Sequence, residues 1–187
     1  MFFEDDVSFD AVKYWDFTWE EFFNKLPDHW ECVQLCLLSD DRSRIIEILN
    51  RNSVFKRDWD YWSVCAYLMK RSHAKKLIDT YFPEGIFYLD YKGWDRELRS
   101  KYNNSRFNLP TAETIIYTLF RDTKENQTIL SFPLFLENIE FNTTWNPGDG
   151  RIGDPYHIPR IFSRNLTDDW WKSTGSNLTI DEIYMNI

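Results

Sequence analysis

The stretch DHWECVQLCLLSDDRSRIIEIL, residues 28–49, carries most of the information about the fold. It sets two apolar clusters on either side of a polar hinge, SDDRS at 39–43. After the hinge, Ile45, Ile46, Ile48 and Leu49 form an apolar face, and Asp40 or Asp41 can cap a helix in front of them. Before the hinge, Trp30, Val33, Leu37 and Leu38 recur at near-helical spacing and predict a helix over about 28–38.

Reading outward from this stretch adds further helices. Thr18 followed by Glu21 is a capping box, so a helix starts there and Pro27 ends it. Downstream, Trp59, Trp62, Ala66 and Met69 share a stripe over 58–71. Ala74, Leu77, Ile78, Tyr81 and Phe82 do the same over 73–82, and Pro83 and Gly85 then break the chain. IFYLDY at 86–91 reads as a short strand, and 94–102 as a polar helix. Pro110 and Thr111 open an amphipathic helix with Ala112, Ile115, Ile116, Leu119 and Phe120 on one face. Residues 128–136 read as a strand that Pro133 places at a sheet edge. Residues 143–164, rich in proline and glycine, read as a long loop. Thr179 with Glu182 is a second capping box and opens a short helix. The pattern predicts a mainly α fold, a helical bundle with a few short strands in the C-terminal half, with α+β as the second choice. The expected organisation is a single domain over 1–187, helical over about 1–83 and mixed over about 84–187.

Charge is distributed unevenly. Residues 1–41 hold ten aromatic rings, eleven carboxylates and two lysines, for a net charge of −9. Residues 42–121 are net +6 and residues 122–187 net −5, which brings the chain to −8. A net negative chain is unsuited to phosphate, so nucleic acid is excluded as the principal partner. The acidic ends either fold back onto basic groups or present a negative face to a basic partner. The start MFFEDDVSFD lacks the positive, apolar pattern of a secretory signal, and no apolar run reaches membrane-spanning length. Cys32, Cys36 and Cys65 read as reduced core thiols, and the expected location is cytoplasmic.

Catalytic motifs are weak. Asp28, His29, Glu31, Cys32 and Cys36 bring ligand-type side chains together, but no second paired motif completes a zinc site, so no metal and no cofactor is expected. The loop GDGRIGDPYHIPR at 148–160 gathers Asp149, Arg151, Asp154, His157 and Arg160. A histidine beside carboxylates suits acid–base work, and paired arginines suit a phosphate, so a small phosphoester hydrolase is the enzymatic alternative. No phosphate-loop, nucleophile-elbow or zinc-protease spacing supports it, and no catalytic residue is assigned. His73, beside Arg71, Lys75 and Lys76, reads as part of a solvated helix face.

Aromatic rings interleaved with carboxylates have the composition of a protein-binding hot spot. The residues expected to touch a partner are Asp5, Asp6, Asp10, Trp15, Asp16, Trp19 and Glu20, followed by Asp168, Asp169 and Trp170. In size, acidity, aromatic content and lack of a catalytic signature, the chain resembles bacterial immunity proteins, the antidotes to polymorphic toxins of the contact-dependent inhibition type. That resemblance implies a tight stoichiometric complex with a cognate basic toxin domain, often a nuclease. A phage-type acidic inhibitor of a nucleic-acid enzyme is the further alternative.

Overall fold

The computed structural model describes residues 1–28, 30–51, 55–56, 63–86, 116, 128–139 and 157–184. Contacts group the chain into two compact units, Met1–Leu68 with Gln127–Ile187, and Met69–Asn126.

The first unit is built on a five-stranded sheet in the order β1-β5-β3-β6-β4, with a two-stranded ribbon of β2 and β7. The strands are β1 (Phe2–Phe3), β2 (Val7–Ser8), β3 (Cys32–Gln34), β4 (Phe55–Lys56), β5 (Ala66–Met69), β6 (Thr128–Leu130) and β7 (Leu136–Glu137). The sheet is mixed. β3 runs parallel to β6 with Cys32 opposite Thr128, whereas β1 pairs antiparallel with β5 and β4 with β6. The mainly α expectation is therefore wrong, and the fold is α+β.

The difference lies in residues 28–38. Residues 32–39 are all buried, and Cys32–Gln34 is the central strand β3 rather than part of a helix over 28–38. A strand covered on both faces reads as a continuous apolar run, and over so short a length such a run has no period that separates it from a buried helix. Gln34 makes the strand's burial workable. Its Nε2 donates to the carbonyls of Cys36 at 3.1 Å and Ser63 at 3.0 Å, inside the core. Ala66–Met69 is likewise strand β5, with Ala66 and Leu68 buried and Tyr67 and Met69 half-covered. That period of two replaces the helix expected there over 66–69.

The capping signals fared better. Helix α1 (Trp19–Lys25) starts at Thr18, whose hydroxyl accepts from Glu21 N while Glu21 accepts from Thr18 N, and it stops before Pro27. Helix α2 (Arg42–Arg51) starts behind Asp41, whose carboxylate accepts from Ser43 N at 2.8 Å. It buries Ile45, Ile48 and Leu49 but leaves Ile46 exposed. Helix α4 (His157–Ser173) packs on α2. Its first two turns take the place of the last part, 157–164, of the loop expected over 143–164. Pro159 is tolerated there because amide donors of a first turn have no intrahelical acceptor. Helix α5 (Ile180–Ile183) begins at the second capping box, Thr179 and Glu182. Pro133 lies outside the ladders, in the link from β6 to β7, and β6 itself is an inner strand rather than an edge.

The second unit, over its described residues, contains helix α3 (Arg71–Tyr81) and a tight turn at Pro83–Gly85. The inward face of α3 differs from the one expected. His73 and Tyr81 are buried, while Ile78 and Phe82 are exposed. His73 is thus a core side chain rather than part of a solvated basic face, and its Nε2 lies 3.0 Å from the carbonyl of Ile116. The features expected at 86–91, 94–102 and 112–120, and the tryptophans 59, 62 and 94, lie outside the described residues apart from Ile86 and Ile116.

Candidate functional site

The N-terminal ten residues form the surface with the most unusual chemistry. β1 is the last strand at one end of the described sheet. On it Phe2 stacks against Tyr67 with ring centroids 5.0 Å apart, and Phe3 meets Phe9 edge-on at 5.2 Å. Phe3 and Phe9 both lean on the buried ring of Phe135. Even so, Phe2 is 47% exposed, Phe3 42% and Phe9 53%. Rings half open to water beside one another leave apolar surface uncovered, which is what a partner's core contact requires. Glu4, Asp5 and Asp10 stand exposed among them. Asp10 also accepts an ion pair from Arg164 of α4 at 3.2 Å, so part of the N-terminal negative charge is answered within the unit.

The residues expected at an interface divide into four groups by exposure. Asp5, Asp10, Asp16, Glu20 and Asp169 are exposed. Trp15, Trp19 and Trp170 are half-covered and belong to the packing. Trp15 stacks on Phe17 at 5.3 Å and meets Trp19 and Phe135 edge-on, while Trp170 lies 4.3 Å from Phe132. Asp168 is largely covered by its own helix, paired with Lys172 at 2.6 Å and Arg164 at 4.0 Å, and its hydrogen bond raises the Lys172 pKa. Asp6 is buried. Sequence reasoning counted Phe2, Phe3 and Phe9 among the rings of the acidic segment but did not single them out. The available signal was their placement directly against Glu4, Asp5, Asp6 and Asp10.

Beneath this surface sits a buried acidic pair. Asp6 ends the turn that links β1 to β2, closed by the amide of Val7 donating to the carbonyl of Glu4. The carbonyl of Asp6 accepts from the amide of Asn138 at 2.6 Å, and Val7 lies opposite Glu137 in the β2–β7 ribbon. The Asp6 and Glu137 carboxyls meet there, only 9% and 3% exposed. Arg160, on the first turn of α4, reaches Glu137 Oε1 at 3.4 Å. Burial pushes Glu137 up to about 8. Asp6 and Glu4 push the same way, and Arg160 opposes them without prevailing. A proton on Glu137 removes one of the two facing negative charges, whereas ionisation sets two carboxylates against each other in a dry pocket. Glu137 itself was missed in the sequence, where it is a lone acid closing the apolar run TILSFPLFLE at 128–137.

Cys65 and Cys36 lie beside this pair. The Cys65 thiol contacts Cys36, which with burial raises its pKa far above the ordinary range. Cys32 lies on strand β3 and Cys36 beyond its end, so these two cysteines do not share a helix face. Of the 148–160 loop, only His157–Arg160 are described. They form helix, and Arg160 serves the buried acidic pair. No helix of the described residues is long and apolar enough to cross a membrane. Comparison of the chain with protein-family models, curated proteins and solved structures finds no match.

Proposed function

We propose that this chain is a non-enzymatic binding protein that neutralises a basic protein domain, as a bacterial immunity protein neutralises its toxin in the cytoplasm. The observation that carries the reading is the exposed cluster of Phe2, Phe3 and Phe9 set among the carboxylates of Glu4, Asp5 and Asp10. Desolvating such rings slows dissociation, and the surrounding negative field speeds encounter with a positive surface. A nuclease-type toxin domain fits this chemistry, because its substrate cleft is built to receive phosphate oxygens and also accepts carboxylates. Among the described residues, the acidic pair Asp6 and Glu137 is too buried to meet a substrate, which favours binding over acid–base catalysis at that place.

The contact surface is narrower than the acidic segment. Trp15, Trp19 and Trp170 serve the fold, and Asp6 serves the interior. Asp16, Glu20 and Asp169 contribute field rather than contact. The decisive experiment purifies the tagged chain from its host, identifies what co-elutes and assays that protein's catalytic activity with and without the chain. The expected partner is a single basic polypeptide in one-to-one complex, inhibited on binding. Asp5→Lys with Asp10→Lys should slow association by about tenfold or more at low salt and flatten its salt dependence. Phe9→Ser should mainly speed dissociation. A partner whose binding ignores all three substitutions would sink the proposed surface, and one whose activity is unchanged in the complex would sink neutralisation.

A further inference from the structure

The N-terminal segment is attached to the rest of its unit by a few specific contacts. Phe2 and Phe3 pair with β5, Glu4 N donates to the carbonyl of Cys65, and Val7 and Ser8 pair with β7. Asp6 lies in the middle of this attachment. Its Oδ1 and the Oε2 of Glu137 are both buried and without a hydrogen-bond partner, and the two carboxyls lie close enough to raise the cost of ionising both. Two unsatisfied carboxyl oxygens buried side by side are tolerable with one proton between them and costly without it.

We propose that Asp6 and Glu137 form a proton-dependent latch that clamps the N-terminal aromatic and acidic surface onto β7, closed when the pair holds a proton and weakened when both carboxyls ionise. The groups facing it are Arg160 from α4, Glu4 from the turn after β1, and the thiols of Cys65 and Cys36. Arg160, at 3.4 Å from Glu137 Oε1, compensates one negative charge and leaves the second uncompensated. The elevated titration of Glu137 agrees with this geometry and places the opening on the alkaline side of neutrality. The regulation of binding rests on the surface proposed above, because Phe3, Asp5, Phe9 and Asp10 lie on either side of Asp6. The latch itself requires no partner.

The test is amide hydrogen exchange on the free full-length chain, with protection of residues 2–10 corrected for the intrinsic pH dependence of exchange. Between about pH 6.5 and about pH 9.5 protection of this segment should fall by roughly tenfold or more, while α5 stays level. Glu137→Gln replaces the shared proton with a fixed amide donor and should remove the fall. Asp6→Asn removes the second charge and should also flatten it, so the proposal remains testable if one variant folds poorly. A wild-type segment with level protection, or a Glu137→Gln chain that loses protection as the wild type does, would overturn the latch. Either result leaves the binding proposal standing, since that depends on the Asp5, Asp10 and Phe9 variants. Failure of those variants to alter binding would leave the latch intact.

Discussion

Two aromatic groups of nearly identical composition end up in opposite environments. Phe2, Phe3 and Phe9 stand among carboxylates in the sequence, as do Trp15, Trp19, Trp170 and Trp171, but the phenylalanines remain about half exposed whereas the tryptophans are drawn into the packing. The difference lies in what each group packs against. The tryptophans have two walls, one from Phe132 and Phe135 in the extended link after β6 and the other from neighbouring rings of α1 and α4. The phenylalanines have one wall, Tyr67 and Phe135, with solvent on the far side. Rings with one wall are available to a partner; rings with two are already spent on stability. Acidic neighbours alone do not distinguish the groups.

Substitutions test this contrast, beginning with the largest effect. Trp171 is completely buried and donates its ring N–H to the carbonyl of Pro133 at 2.9 Å. Trp171→Ala should cost about 3–5 kcal/mol, read as a lower urea midpoint. A loss below about 1 kcal/mol would mean the tryptophan group is not the core.

The next effect is pH-dependent. The native Glu137 titrates near 8 against an ordinary 4.5, so the native state holds more protons between those values. This contribution to stability is therefore full below about 4.5 and is lost as pH rises through 8. Urea titrations across this range should show the decline in the wild type and its absence in Glu137→Gln. The capping glutamates act with the opposite sign. Bonds from Thr18 and Thr179 hold Glu21 and Glu182 below 4.5, so their contribution is present above that value and fades on acidification.

A smaller effect is expected at Gly175. A methyl group there would lie 2.5 Å from Trp171 Cε3 and would also press on the Trp170 ring, so both indoles would have to move. Gly175→Ala should destabilise by about 1–3 kcal/mol, with a shifted tryptophan emission spectrum as the local readout. Thr18→Ala should cost about 1 kcal/mol through loss of the capping box. At the bottom of the series, Phe9→Ser should change the unfolding free energy by less than about 1 kcal/mol. A larger loss would place Phe9 with the tryptophans and remove it from the proposed surface.

Local features of the chain were legible before the fold was seen. Both capping boxes, the stop at Pro27 and a cap at Asp40 or Asp41 depend on side chains meeting backbone groups within three or four residues, so they read directly from spacing, and the fold selects Asp41. The acidic and aromatic bias of the first ten residues was equally plain. Its division into exposed Phe9, buried Asp6 and paired Asp10 was not, because each outcome depends on a residue more than fifty positions away, Phe135, Glu137 or Arg164.

By itself, then, the sequence determined the capped starts of α1, α2 and α5, how charge is apportioned and which segment is rich enough in rings and acids to suggest binding. These are properties of neighbours along the chain. Tertiary structure alone decided that CVQ at 32–34 is the middle strand of a mixed sheet, which acids are dry and which rings remain open. A strand requires partners from elsewhere in the chain, here β5 on one side and β6 on the other, and burial requires walls that only the assembled fold supplies.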